Sequence, residues 1–137
     1  MRLFQACEGA EPMIFDTDVI IWIQRGNNKA ADLVDSDNDR CISIVTFMEL
    51  LQHAQHKQQQ KVIKDYLNEM DFTVLPLSEN IGHRALIYIE EYSLSHGISA
   101  DDALIAATAI ENNKVLATGN TKHYKQIREL GIKHLKM

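Results

Sequence analysis

Short, mostly apolar runs alternate with longer amphipathic segments along this chain, and that alternation restricts its fold more than any other feature. Met13-Ile14-Phe15, Cys41-Ile42-Ser43-Ile44, Thr73-Val74-Leu75, Val115-Leu116-Ala117-Thr118 and residues 132–135 read as strands. Helical patterns are expected from Val19 to Gln24 and over 29–34, 47–56, 58–70 and 102–111, with a last one over 121–130. A further helix carries Ile81, Ala85, Tyr88, Ile89 and Tyr92 on one stripe, and Gly97 stops it. Strands that are apolar on both faces belong to a parallel sheet covered on both sides. The expected fold is α/β, a three-layer α/β/α sandwich around a central, mostly parallel sheet.

A length of 137 residues suits one domain, and 45% hydrophobic content supplies a core. Residues 1–12 carry no period and end at Pro12, so they read as an N-terminal extension without fixed order, ahead of a domain spanning 13–137. Met13 stands as an alternative start. The N-terminus lacks the apolar core of a signal peptide, and no run approaches ~18 apolar residues, so no membrane span is expected. Cys7 and Cys41 make no disulfide framework, which fits a reducing, cytoplasmic setting. A net charge of −5 offers no overall basic field for nucleic acid. Beyond residue 113, however, Lys114, Lys122, Lys125, Arg128, Lys133 and Lys136 face the single acid Glu129, which outlines a local patch.

Three acidic neighbourhoods carry the chemistry: Phe15-Asp16-Thr17-Asp18, Thr46-Phe47-Met48-Glu49 and Ser99-Ala100-Asp101-Asp102. Each sits where an apolar run meets a helix, and a parallel sheet gathers such junctions at one edge. In open sheets of this kind, ligands bind beyond the carboxyl ends of the strands, where strand order reverses. Two unit negative charges ~5 Å apart repel by roughly 3 kcal/mol at an effective dielectric of about 20. A fold retains such a cluster to hold a divalent cation or to move protons. Taken singly, the acids have plainer readings. Asp18 would cap the first helix, and Thr46-x-x-Glu49 and Ser99-x-x-Asp102 match capping boxes. Asp101, about 100° around the helix from Asp102, reads as a solvated neighbour. His53 and His56 lie three apart on one expected helix, without an obvious third ligand for zinc.

The chain resembles the PIN domains, and among them the small VapC-type toxins of bacterial toxin–antitoxin pairs. The resemblance lies in four stretches in register: 15–21 (FDTDVII), 43–50 (SIVTFMEL), 99–109 (SADDALIAATA) and 117–124 (ATGNTKHY). It implies that Asp16, Glu49 and Asp102 are the acidic metal-site residues. Asn120 stands where many members carry a fourth Asp, and its neutral amide should weaken a second metal position. Thr17 and Thr118 would support the acids through their hydroxyls. The implied activity is a Mg²⁺- or Mn²⁺-dependent endoribonuclease that hydrolyses RNA to 3′-hydroxyl and 5′-phosphate ends, with Asp16, Glu49, Asp102 and Asn120 catalytic. Lys122, His123 and Lys125 would contact the RNA backbone. The implied partners are a cognate antitoxin and a second copy in a homodimer. Two alternatives stand beside it. One is a PIN-like interaction module without metal; the other is a haloacid-dehalogenase-like phosphatase with Asp16 as nucleophile.

Overall fold

The strand that carries Asp16 lies at the middle of the sheet, and everything else is arranged around it. A computed structural model describes residues 12–136; the expected N-terminal extension, Cys7 included, otherwise lies outside the described residues. The strands are β1 (Met13–Phe15), β2 (Cys41–Ser43), β3 (Thr73–Leu75), β4 (Val115–Thr118) and β5 (Ile132–His134). All pair in parallel, in the order β3-β2-β1-β4-β5. The helices are α1 (Thr17–Gln24), α2 (Asn28–Asp35), α3 (Ile44–His53), α4 (Lys57–Glu69), α5 (Glu79–His96) and α6 (Ala100–Glu111).

Successive strand residues face opposite layers. Met13, Phe15, Ile42 and Ala117 join the core under α1 to α4. Ile14, Cys41 and Leu116 join the core under α5, α6 and the chain after β4. The three inner strands are almost wholly buried, while β3 and β5 at the edges are partly open. Going from β3 to β4 the chain passes over β1, so strand order reverses between β1 and β4. The crevice beyond their carboxyl ends is where such a sheet binds ligands.

Helix starts decide what reaches that crevice. Asp16, not Asp18, caps α1, its side chain accepting from Thr17 N at 2.8 Å. Ser43 caps α3 through Val45 N, three residues ahead of the expected start. Thr46 is therefore inside the helix and the expected Thr46/Glu49 capping box is not formed. Ser99 does cap α6, accepting from Asp102 N at 3.1 Å. Gly97 ends α5 with φ 68°, the left-handed geometry that favours glycine. His53 ends α3 and His56 caps α4, so the pair does not share one helix face.

The expected helix over 121–130 is absent. A 3₁₀ turn at Thr121–His123 opens a run of turns instead. Tyr124 N, Ile127 N and Leu130 N each bond the carbonyl three residues back. Tyr124, Ile127 and Leu130 are all buried. Apolar residues at a strict spacing of three line up on a chain with three residues per turn, and drift off one face in an α-helix.

Candidate active site

Acids from three helices gather beyond the carboxyl edge of β1 and β4, two of them at the cap or in the first turn of their helix. The dipoles of α1 and α6 favour negative charge there. Asp16 caps α1, Glu49 lies one turn into α3, and Asp102 sits in the first turn of α6. Asp16 is 7% exposed. Its Oδ2 accepts from Thr118 Oγ1 at 2.8 Å and from the Tyr124 hydroxyl at 3.1 Å. The same hydroxyl lies 3.1 Å from Asp102 Oδ1, so one phenol stands between two carboxylates. Glu49 Oε1 accepts from Thr17 Oγ1 at 2.5 Å, and Thr46 Oγ1 lies 3.2 Å beyond. Thr17 and Thr118 each donate a hydroxyl to one of these acids.

Burial, and next the Asp18 carboxylate, push the Asp16 carboxyl up to about 6. Burial also raises Asp18 and Glu49. Asp101, expected to be a solvated bystander, is exposed but lies beside Glu49 and adds to its upward shift. Asp18 turns toward the site: its Oδ2 accepts from Gly119 N at 3.1 Å, and its buried Oδ1 has no partner. Tyr124 is held protonated, first by burial and then by the two facing acids.

His123 points inward. Its Nδ1 lies 3.0 Å from Asp102 Oδ2 and 3.1 Å from the Asn120 side-chain amide. One ring nitrogen cannot both donate to Asp102 and accept from an NH₂, so the consistent assignment turns the Asn120 oxygen toward the ring. Asn120 therefore enters the crevice by way of His123. Lys122 and Lys125 face solvent on either side of the buried Tyr124. Tyr124 closes the stretch 117–124 that carries the resemblance, but nothing in the sequence assigned it a role. Its one available signal was the apolar spacing that it shares with Ile127 and Leu130.

Among the described residues no three acid, imidazole or thiol side chains already converge on one point. Tyr124 separates Asp16 from Asp102, and Thr17 occupies Glu49. The donor set still suits a hard cation. It is all oxygen, it is crowded with carboxylates that burial penalises, and it includes an orphaned oxygen on Asp18.

A profile of the PIN domain family matches residues 13–130. The chain belongs to that family and, within it, is of the VapC type. It is 33% identical over 122 residues to ribonuclease VapC10 of Mycobacterium tuberculosis, covering 86% of this chain and 90% of that one. It is equally 33% identical over 128 residues to a ribonuclease VapC of Rickettsia bellii, covering 88% and 93%. Among solved structures, VapBC-1 from nontypeable Haemophilus influenzae superposes with a TM-score of 0.75 at 26% identity, covering 89% of this chain and 96% of that one. A toxin–antitoxin complex from Klebsiella pneumoniae shares the fold with a TM-score of 0.77 at 24% identity, over 91% and 99%.

Proposed function

We propose that this chain is a Mg²⁺- or Mn²⁺-dependent endoribonuclease, the toxin of a toxin–antitoxin pair, with Asp16, Glu49 and Asp102 as its metal-holding carboxylates. The observation that carries this reading is the approach of Asp16 and Asp102 to a single hydroxyl at the point where strand order reverses. The relatives named as ribonucleases supply the substrate class. A bound divalent cation would lower the pKa of a water and offset charge on the phosphodiester under attack.

The chain's own residues do the rest. Thr118 and Thr17 orient Asp16 and Glu49, fixing which oxygens face the crevice. Burial keeps water from competing for Asp16, which is 7% exposed, while the N-termini of α1 and α6 lessen the repulsion between Asp16 and Asp102. Lys122 and Lys125, exposed beside the site, hold the RNA backbone as charge contacts. The phosphatase alternative is disfavoured because it leaves Glu49, held by Thr17 beside the crevice, without a role, and because the matching family model is that of the PIN domain. The metal-free interaction module is the remaining rival.

The antitoxin would lay a helix in the groove of about 270 Å³ between α1, α3 and α4, where Ile21, Leu50, Val62 and Ile63 are flanked by the polar Gln24, Arg25, His53 and Gln59. No helix of the described residues is long and apolar enough to cross a membrane, and we place the protein in the cytoplasm. For the homodimer, the open apolar residues on α5 are Leu86, Ile87 and Leu94, not Tyr88, which is buried.

The deciding experiment sequences RNA 5′ ends after induction, wild type beside Asp16→Asn and Asp102→Asn. New 5′ ends confined to the wild type, and Mg²⁺-dependent cleavage by purified protein, support the nuclease. Identical end maps in all three strains would overturn it. Rescue of growth by a neighbouring gene product tests the antitoxin.

A further inference from the structure

We propose that Tyr124 is a positioning residue whose hydroxyl sets the spacing of the Asp16 and Asp102 carboxylates, and with it the affinity and size preference of the site for a divalent cation. This rests on the metal-dependent reading above and goes beyond it, because it gives a role to a residue that is not itself a ligand.

The three groups come from separate parts of the chain: the β1–α1 junction, the first turn of α6 and the turns after β4. Among the described residues, Tyr124 is the one side chain within hydrogen-bond distance of both acids. It is 0% exposed. Its backbone is pinned from both sides, with Tyr124 N bonded to Thr121 O at 2.9 Å and Ile127 N bonded to Tyr124 O at 3.0 Å. The ring cannot drift without disturbing the core it shares with Ile105, Ile127 and Leu130. The hydroxyl is thus a fixed point, and a carboxylate oxygen of each acid lies 3.1 Å from it.

A phenol has one proton and faces two carboxylates. It can donate to only one at a time, and an ionised partner offers no proton in return. The hydroxyl therefore neutralises neither charge. It acts as a spacer: its proton holds one acid while its oxygen, fixed by the core, sets how closely the other can approach, and a bound cation would inherit that gap. Phenylalanine would keep the ring and its packing while removing the spacer.

The test compares the full chain with Tyr124→Phe by Mn²⁺ titration, read by paramagnetic resonance of free Mn²⁺, with Ca²⁺ as competitor. Melting in chelator is recorded alongside. The expected result is Mn²⁺ binding weakened about 10-fold, in the range for losing a partner of a metal ligand. A several-fold loss of the preference for Mn²⁺ over the larger Ca²⁺ should accompany it. Unchanged affinity and preference in Tyr124→Phe, with the wild type binding Mn²⁺ normally, overturns the inference and leaves the nuclease reading standing. Absence of Mn²⁺ binding by the wild type overturns both. Should Tyr124→Phe not fold, 3-fluorotyrosine placed at position 124 keeps the hydroxyl. Its ¹⁹F resonance should then shift on saturation with Mg²⁺, and a resonance indifferent to Mg²⁺ counts against the inference.

Discussion

The indole of Trp22 occupies the space that any side chain at position 119 would need. A Cβ on Gly119 would overlap Cη2 of that ring and fall 2.5 Å from Cζ3. Gly119 N is also the donor that holds Asp18, so the packing of α1 and the shape of the loop after β4 are a single arrangement. Gly119→Ala should therefore cost about 1–3 kcal/mol, the usual range for overpacking. Trp22→Leu in the same chain should recover part of that loss. Urea unfolding of the two single variants and the double variant measures the coupling; strict additivity would show that the ring and the glycine do not meet.

Asp16→Asn should separate stability from activity. Its amide can still accept from Thr17 N and can donate to the Thr118 and Tyr124 hydroxyls, while the buried charge is gone. With the Asp16 carboxyl pushed up to about 6, the metal-free variant should gain roughly 2–3 kcal/mol at pH 7.5. RNA cleavage should be abolished. A variant less stable than wild type in chelator would contradict this account of the site.

The pH dependence of metal-free stability follows from the same groups. Between the ordinary Asp value and about 6, folded Asp16 keeps a proton that the unfolded chain has released. Its contribution to stability is therefore fully present at low pH and is lost as pH rises through about 6. Asp18 and Glu49 are raised as well and act in the same direction. In chelator, the urea midpoint should be higher at pH 5 than at pH 7.5, and Asp16→Asn should flatten much of that slope. A midpoint that rises over this interval, with an equal slope in the variant, would be inconsistent with a buried Asp16.

Thr17→Val removes the hydroxyl that Glu49 accepts from and keeps the side-chain volume. Glu49 then loses its orientation, and cleavage should fall 10- to 100-fold at fixed Mg²⁺. Added Mg²⁺ should recover part of the rate if the defect lies in binding the ion.

Lys122 and Lys125 are exposed and stand outside the core. The double substitution to Ala should leave stability within about 0.5 kcal/mol. RNA binding should weaken to a similar degree for all sequences, and the salt slope should drop by about 0.7 for each single-strand phosphate that is no longer neutralised. Weakening confined to one sequence would instead make these residues readers of bases.

Much of the scaffold was legible because its strands are bounded on both sides. β1, β3 and β4 begin and end where their apolar runs do. The start of α3 was not legible in this way. Ile44 and Val45 are β-branched and favour a strand, yet they wind into the helix because Ser43 caps it and Val45 is buried. The last segment misled through an ambiguity of period. Tyr124, Ile127 and Leu130 fit a helix as i, i+3, but the i+4 positions hold Arg128 and Gly131, which marks a tighter coil. Asp16 and Asp102 stand at the helix starts where the sequence puts them, whereas Glu49 lies in the second turn of α3. Tyr124 was not, since sequence alone does not distinguish a core tyrosine from one whose hydroxyl meets carboxylates.

The pairing of β1 with β4 joins Phe15 to Ala117, and the bond from Thr118 to Asp16 spans 102 positions. Closing so wide a loop is slow, and no local element can anticipate it. Asp16 therefore acquires Thr118 and Tyr124 as partners only after β4 and the turns that follow it have left the ribosome.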